Sequence, residues 1–235
     1  MALDDPGFVH RQYASTDRLQ TRASVWRDDL SSPSPHDVAL GALAALPTTR
    51  LLEAGCGTGV FAARCMSELG CEVTALDLSP AMVEAARARG VPAVVGDVEH
   101  LPFPDASFDA VVAAWMLYHV RHLDRGLAQI SRVLRPGGRL VAVTNGEEQL
   151  AELWSALGAP APRPSFSRES GEAALRPWFR SVVRHDLRST ALFPDRASVA
   201  AYLGSIGLEA DPGRLARLPE PFRARGTPTV FIADR

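Results

Sequence analysis

Short apolar segments alternate with longer segments of helical periodicity through the middle of the chain. The short segments are rich in β-branched residues and bounded by turn residues, which is typical of buried strands. The longer segments repeat apolar residues every three to four positions, which is typical of helices that pack on a sheet. The pattern predicts strands at residues 50–54, 72–76, 93–95, 108–114 and 139–143.

Three helices are predicted between these strands, over residues 58–69, 81–89 and 121–134. Ser79 and Pro80 favour a helix start, because serine caps a helix N-terminus and proline is tolerated in the first turn. Strands that alternate with helices indicate a parallel sheet covered on both faces. The expected fold class is therefore α/β, a Rossmann-like doubly wound sheet of seven mostly parallel strands with a small helical insertion or lid.

The pattern changes after Thr144, where the proline-rich segment 158–164 interrupts it. A helical stretch, a strand, a helix and a final strand are predicted at 167–179, 181–187, 195–206 and 227–233. We predict one domain over residues 37–235, with an insertion at about 147–180. The first 36 residues lack a strand signal and are expected to form helix or loop outside the sheet.

Composition excludes several functional classes. All 25 basic residues are arginine, so the chain has no lysine for a Walker loop, a Schiff base or a lysine nucleophile. A net charge of -2 argues against a surface built to neutralise phosphates. No apolar stretch approaches the roughly 20 residues that cross a bilayer, and acidic residues stand where a secretory signal is basic and then apolar. A cytoplasmic protein whose three cysteines are packing thiols is expected.

A glycine-rich loop follows the first predicted strand. Glu53 and Ala54 run into Gly55, Gly57 and Gly59, and a helix comes next. Glycine allows sharp turns and close approach of a ligand, and the helix start offers free N–H groups. Dinucleotide folds use G-x-G-x-x-G, but here the third glycine comes one residue early. The loop therefore favours nucleoside binding over pyrophosphate binding.

Other segments occur in register with this loop: Asp77 at the end of the second strand, residues 94–99 after the third, 101–112 leading into the fourth, and the turn 133–140 before the fifth. Over residues 48–145 the chain resembles the class I S-adenosylmethionine-dependent methyltransferases. It is most similar to the small-molecule branch that includes ubiquinone and menaquinone biosynthesis enzymes and natural-product methyltransferases. The resemblance implies S-adenosylmethionine as cofactor, S-adenosylhomocysteine as product, and an N-terminal segment, residues 1–36, that folds over the cofactor.

The resemblance also implies the cofactor contacts. Asp77 would accept from the ribose hydroxyls, the alternative being a helix cap, and Asp97 or Glu99 would face adenine. An arginine of the N-terminal segment, Arg22, would bind the methionine carboxylate, whereas Arg18 is expected on the surface. The full predicted set is Glu53, Gly55, Cys56, Gly57, Gly59, Asp77, Leu78, Gly96, Asp97, Val98, Ala113, Tyr13 and Arg22.

The acceptor side is expected after the fourth strand, where an open sheet places its ligands. His119 is the candidate catalytic base because its pKa is ordinarily near neutral, and the alternative is a histidine that only packs or donates a hydrogen bond. Trp115 and Tyr118 are candidates for the pocket wall, with plain core as the alternative. Trp154, Phe166, Trp178 and Phe179 of the insertion are candidates for lining an apolar acceptor site, and the alternative is that they form a small core of the insertion's own.

His119, His122 and Asp124 have a spacing that suits metal ligation, but methyl transfer needs no Lewis acid, and no metal is expected. A small-molecule acceptor, no nucleic acid, no membrane span and a monomer or homodimer are expected. Three alternatives remain: a nicotinamide-dependent oxidoreductase, an RNA-modifying methyltransferase and a non-catalytic nucleoside-binding protein.

Overall fold

The computed structural model describes residues 3–27 and 32–235. Residues 1, 2 and 28–31 of the predicted N-terminal segment lie outside the described residues. The α-helices are α1 Pro6–Gln12, α2 Thr16–Ser24, α3 Pro35–Ala44, α4 Val60–Leu69, α5 Pro80–Ala88, α6 Leu123–Val133, α7 Ala151–Leu157, α8 Gly171–Leu175, α9 Arg196–Ser205 and α10 Pro212–Leu215. The strands are β1 Trp26–Arg27, β2 Arg50–Ala54, β3 Glu72–Asp77, β4 Ala93–Val95, β5 Phe108–Ala114, β6 Leu134–Asn145, β7 Ser181–Asp186, β8 Ser189–Phe193, β9 Phe222–Gly226 and β10 Pro228–Asp234.

Seven strands form one sheet in the order β4-β3-β2-β5-β6-β10-β7. The first five are parallel to one another, and β10 runs antiparallel to both β6 and β7. From β2 the chain moves outward to β3 and β4, and then crosses to β5 on the other side of β2. Ligands of open α/β sheets bind at such a reversal of strand order, beyond the carboxyl ends of the strands. The predicted seven-stranded, mostly parallel α/β fold is confirmed.

Two hydrophobic cores cover the two faces of this sheet. Leu52 belongs to one core and Leu51 to the other, as the alternation of side chains along a strand requires. Ile130 of α6 packs in the first core, and Phe61 of α4 packs in the second. Because helices cover both faces, β5 is buried from Phe108 to Ala113 and is apolar throughout from Ala110 onward.

A second sheet, of three antiparallel strands in the order β1-β8-β9, was not expected from the pattern. With α7, α9 and α10 it encloses a core that includes Val25, Trp154 and Phe193; we call this part of the molecule the small-sheet layer. The first 36 residues are helical in α1 and α2, but they also contribute β1, which pairs with residues far along the chain, Trp26 with Ala191. A strand of only two residues that pairs with distant residues produces no alternating pattern in the sequence around it.

Most predicted boundaries lie within two residues of the observed ones, and the exceptions have local causes. Helix α4 stays within this margin and begins at Val60, because Gly59 is in the left-handed conformation and caps it. The helical stretch predicted at 167–179 is an exception: only Gly171–Leu175 is α-helical, and Ser167 and Ser170 form a hydrogen-bonded turn before it. Strand β6 begins at Leu134 because this residue already pairs with Phe108, before the Arg135–Gly138 turn. Helix α3, which Ser34 caps, lies in a stretch for which no helix was predicted. No helix among residues 3–27 and 32–235 is long and apolar enough to cross a membrane.

Candidate active site

The glycine loop turns the chain from β2 into α4 at the reversal of strand order. Gly55, Gly57 and Gly59 have φ angles of +72°, +52° and +74°, a region that side chains disfavour. A Cβ on Gly55 would stand 2.6 Å from the Cβ of Met116. Both observations require glycine here, so the loop exposes its backbone where the predicted ligand would lie.

Glu53 is the penultimate residue of β2, just before this loop, and is 2% exposed. Its Oε2 is buried and has no hydrogen-bond partner. Burial raises the pKa of Glu53 to about 8, against a smaller opposite effect of a hydrogen bond from the backbone of Ala62 in the first turn of α4. A buried carboxyl oxygen without a donor is costly, so this position needs a donor from outside the described side chains.

Asp77 ties β3 to the glycine loop. Its Oδ2 accepts from the Gly57 N–H at 2.8 Å, and its Oδ1 accepts from the Ser79 N–H at 2.9 Å. Ser79 is the cap of α5, because its Oγ accepts from the Met82 N–H. Asp77 is therefore not the helix cap, and each of its oxygens keeps a further lone pair for a ligand. Burial raises the pKa of Asp77, and the backbone N–H groups oppose that effect.

Beyond Asp77, the same edge of the sheet carries exposed apolar side chains and one solvent-exposed carboxylate. Leu78 and Val95 follow β3 and end β4, and they are 54% and 51% exposed although large and apolar. Asp97 accepts from the Glu99 N–H and stays half-exposed, whereas Glu99 is buried against His122, with 2.8 Å between Oε2 and Nδ1. Of the two acids considered for adenine, Asp97 is the one that faces solvent.

Three further residues of the predicted set could contact a ligand only through their backbone atoms. Val98, Ala113 and Cys56 are buried, and their side chains belong to the cores. A Cβ on Gly96 would stand 2.6 Å from Leu76 Cδ1, so this position also requires glycine. Burial raises the pKa of the Cys56 thiol strongly, which keeps it protonated and unreactive.

The N-terminal segment lies against this edge. Leu19 of α2 stands 3.2 Å from the place that a Cβ of Gly57 would take. The Tyr13 carbonyl accepts from Ser79 Oγ at 2.7 Å. The segment is thus attached beside Asp77 and touches the glycine loop.

His119 lies in a short 3-10 turn after β5 and is held by two hydrogen bonds. Its Nδ1 is 2.7 Å from the Leu3 carbonyl oxygen, and its Nε2 is 2.9 Å from the Tyr13 hydroxyl. A carbonyl oxygen only accepts, so Nδ1 carries the proton and the Tyr13 hydroxyl donates to Nε2. Burial lowers the pKa of His119 to about 4, and the positive charge of Arg22 acts in the same direction. His119 is therefore neutral at pH 7, and the lone pair on its Nε2 accepts the hydrogen bond from Tyr13.

A cavity of about 150 Å³ lies beside His119. Its walls come from α1 and α2, the turn after β5, the end of β6 with α7, and α9; they include Tyr13, Arg22, Tyr118, His119, Trp154 and Tyr202.

Tyr118 and Trp154 therefore stand where an acceptor wall was expected, and the other aromatic residues predicted for that wall do not. Trp115 instead donates from Nε1 to Asn145 Oδ1 at 3.2 Å and packs against His36. Phe166 and Phe179 lie in the core of the large sheet, and Trp178 packs against that core.

The spacing considered for metal ligation does not bring its residues together. His119 contacts Tyr13 and Leu3, while His122 contacts Glu99. Throughout the part of the chain that the structure describes, no group of three or more histidine, cysteine or acidic side chains is placed to hold a metal ion.

Sequence reasoning missed Gln12, Asn145, Gln149 and Tyr202, which also line the cavity. They come from α1, the end of β6, the start of the insertion and α9, and no motif connects them. Only Gln12 could have been suspected, because it is a polar residue on the same buried side of α1 as Val9.

Comparisons with known proteins agree with this geometry. The family model described as "Methyltransferase domain" matches residues 52–142. The chain is 40% identical over 119 residues to a malonyl-[acyl-carrier protein] O-methyltransferase of Serratia marcescens, a match that covers 50% of this chain and 46% of the relative. It is 30% identical over 201 residues to a ubiquinone/menaquinone biosynthesis C-methyltransferase of Bordetella parapertussis, covering 77% of this chain and 73% of the relative.

A solved Haemonchus contortus N-methyltransferase in complex with phosphomonomethylethanolamine and S-adenosylhomocysteine has the same fold, with a TM-score of 0.63 at 19% identity. That match covers 100% of this chain and 60% of the other. The chain spans about half of the malonyl-[acyl-carrier protein] O-methyltransferases it matches, 46% and 56% of two of them.

Proposed function

Because the chain belongs to the class I S-adenosylmethionine-dependent methyltransferases, we propose that it transfers a methyl group from S-adenosylmethionine to a small-molecule acceptor. The observation that carries the proposal is the unpaired, buried Oε2 of Glu53 under a loop of three glycines at the reversal of strand order. The comparisons lend no support to a nicotinamide-dependent oxidoreductase, an RNA-modifying methyltransferase or a non-catalytic protein.

The residues of the sheet edge fit this cofactor. The Oε2 of Glu53 lacks a donor, and the ammonium group of a methionine moiety would be such a donor. The backbone of Gly55, Cys56, Gly57, Gly59 and Ala113 would line the same moiety.

The nucleoside has its own partners along the edge. Asp77 would accept from the ribose hydroxyls, and Asp97 from the exocyclic amine of adenine. Exposed Leu78, with the backbone of Gly96 and Val98, would bound the adenine ring; a purine would cover apolar surface that is otherwise open to water.

When bound, S-adenosylmethionine supplies an electrophilic methyl group on a positively charged sulfur. The chain's own contribution is to hold the acceptor in line and to exclude water. Tyr118 and Trp154 form apolar walls of the cavity beside His119.

His119 is the proposed proton acceptor. The proton of the methyl acceptor moves to Nε2 as its O, N or C nucleophile gains the methyl group, while the other ring proton stays on Nδ1 and is donated to the Leu3 carbonyl oxygen. Tyr13 donates to the same Nε2, so its hydroxyl either turns aside or relays the proton. A base whose pKa is about 4 is weak, but it is unprotonated at every physiological pH.

The cellular setting completes the proposal. The three cysteines are buried free thiols, which supports a reducing, cytoplasmic location. Among the described residues, the large apolar side chains that are exposed are Val60, Leu78, Val95 and Val183. Leu78 and Val95 belong to the cofactor edge, and the other two lie on separate elements, which supports a monomer or a homodimer with a modest interface.

Isothermal titration of the protein with S-adenosylhomocysteine and with NAD tests the cofactor. We expect one S-adenosylhomocysteine per chain and no heat from NAD; the reverse pattern would overturn the proposal. Labelled S-adenosylmethionine incubated with a pool of small phenols and carboxylic acids, and separately with tRNA, tests the reaction. Label should enter the small molecules, and label in tRNA alone would favour the RNA-modifying alternative.

A further inference from the structure

Arg22 lies on the wall of the cavity beside His119, which the proposed function assigns to the methyl acceptor and which we call the acceptor cavity. Its Nη1 donates to Gln12 Oε1 and to the Ser205 carbonyl, both at 2.8 Å. Its Nη2 is buried and has no hydrogen-bond partner. Within residues 3–27 and 32–235, no Asp or Glu forms an ion pair with this guanidinium.

Gln12 adds a second unsatisfied donor. It is 2% exposed, and its Nε2 lacks a partner. The orientation of its amide is fixed, because a guanidinium only donates and Oε1 must therefore face Arg22. Two cavity-lining side chains thus bury N–H groups that have no acceptor, and such groups cost free energy until an acceptor is supplied.

The rest of the cavity wall is neutral at physiological pH. Burial raises the pKa of Tyr13 and Tyr118, and raises that of Tyr202 to about 12. Burial lowers the pKa of His119 to about 4. No acidic residue is among the described residues that line the cavity, so Arg22 supplies its one formal charge.

The position of Arg22 separates it from the cofactor edge. The residues that line the cavity include neither Glu53, nor the glycine loop, nor Asp77. Arg22 also contacts the ring of Tyr13, 5.2 Å from its centroid, and Tyr13 in turn contacts His119. The charge is therefore placed next to the candidate base, on the acceptor side.

We propose that the methyl acceptor carries a carboxylate, and that Arg22 binds this carboxylate inside the cavity. The inference rests on the proposed function, since it names the class of acceptor for the same site. A guanidinium fork suits a planar carboxylate, and one positive charge matches one negative charge. A phosphate dianion would leave a second charge unpaired in the neutral wall. With the carboxylate held by Arg22, the protic nucleophile of the same molecule lies toward His119.

Isothermal titration with two matched pairs of probes tests the proposal: benzoate against benzamide, and hexanoate against hexanamide. Each pair keeps its shape and differs in charge. Titrations are run with and without saturating S-adenosylhomocysteine. We expect at least one acid to bind about tenfold more tightly than its amide, as a charge-assisted hydrogen bond provides. If neither acid binds more tightly than its amide, the proposal is wrong.

Three variants assign the preference to Arg22. R22M should bring acid and amide affinities to within about threefold, and R22K should restore part of the preference because it keeps the charge. Arg18 lies one turn earlier on α2 and does not line the cavity, so R18M should keep the full preference. A preference that survives in R22M would overturn the assignment.

The same titrations distinguish a failure of the Arg22 proposal from a failure of the proposed function. If R22M binds S-adenosylhomocysteine about tenfold more weakly while the acid preference persists, Arg22 binds the cofactor carboxylate and the proposal fails. If the wild-type chain does not bind S-adenosylhomocysteine at all, the proposed function fails, but the acid–amide difference without it still tests Arg22. If R22M does not fold, the wild-type difference and its loss with rising NaCl decide the question.

Discussion

The rim formed by the glycine loop and Asp77 differs from the acceptor cavity in how the chain builds it. The rim uses the ends of two adjacent parallel strands, and its glycine backbone, Glu53 and Asp77 all lie within residues 53–79. The cavity is walled by residues of separate segments between Leu3 and Ile206. A rim fixed by a sheet keeps its geometry when side chains elsewhere change, while the cavity depends on each side chain that enters it. This difference lets one cofactor edge serve different acceptors.

Adding a methyl group to the rim should give the largest effect. Gly55→Ala places a Cβ in left-handed backbone and against Met116, so strain of about 1–2 kcal/mol adds to overpacking of about 1–3 kcal/mol. We expect S-adenosylhomocysteine affinity to fall about 100-fold or more.

Gly70 is the matched control, because its φ is +63° and nothing lies within 4 Å of its Cβ position. Gly70→Ala should lower the melting temperature slightly and leave S-adenosylhomocysteine binding intact. Equal loss of binding in both variants would mean that the rim has no special geometry.

Changing His119 should affect turnover and spare the rim. His119→Gln should lower kcat about 100-fold with the acceptor found in the pooled assay, as the loss of a general base does. S-adenosylhomocysteine affinity should stay within about threefold, since His119 does not contact the loop. Tyr13→Phe keeps the ring and removes the hydroxyl, so a loss of kcat in this variant would indicate a proton relay. Unchanged turnover in His119→Gln, with a lower melting temperature, would identify a packing histidine.

Glu53 gives a prediction that needs no acceptor. Its pKa of about 8 leaves most of this carboxyl protonated at pH 7, and an ammonium group placed beside it should ionise it. Binding of S-adenosylhomocysteine at pH 7 should release up to about one proton per chain. Titration in buffers of different ionisation enthalpy measures this number. Glu53→Gln should abolish the release, and a wild-type chain without proton release would contradict the assigned partner.

The smallest expected effect is on stability. Because burial holds the pKa of His119 near 4, the unfolded chain binds a proton at this residue at a higher pH than the folded chain. The free energy of unfolding should therefore fall as pH drops from about 6.5 to 4, and His119→Gln should flatten this slope. Urea titrations of both proteins across that range provide the comparison. Parallel slopes would show that His119 is not buried neutral.

The sequence predicted the rim because its signals are local. The strand before Gly55, the glycine spacing and Asp77 at the next strand end are each readable within a few residues, and the structure brings them together. The same locality explains the confirmed strands of the large sheet. The capping role of Ser79 was also predictable, since Pro80 follows it.

The cavity was only partly predictable, because most of its contacts join residues that are far apart in the sequence. His119 and Tyr118 were found because they follow β5 directly, but the partners Leu3 and Tyr13 of His119 lie more than 100 positions away. Arg22 was assigned to the cofactor from the resemblance alone. Its unpaired Nη2 and its neighbours Gln12 and Ser205 depend on how α2 packs on α9, which no periodicity encodes.

One set of titrations tests the separation of rim and cavity most directly: S-adenosylhomocysteine and benzoate or hexanoate, each titrated into Asp77→Ala and Arg22→Met. Asp77→Ala should weaken S-adenosylhomocysteine by about 1.5–3 kcal/mol and leave the affinity for the acid within about threefold. Arg22→Met should do the opposite. If both variants lose both ligands equally, or if Asp77→Ala binds S-adenosylhomocysteine as the wild type does, the account of two separately built sites is wrong.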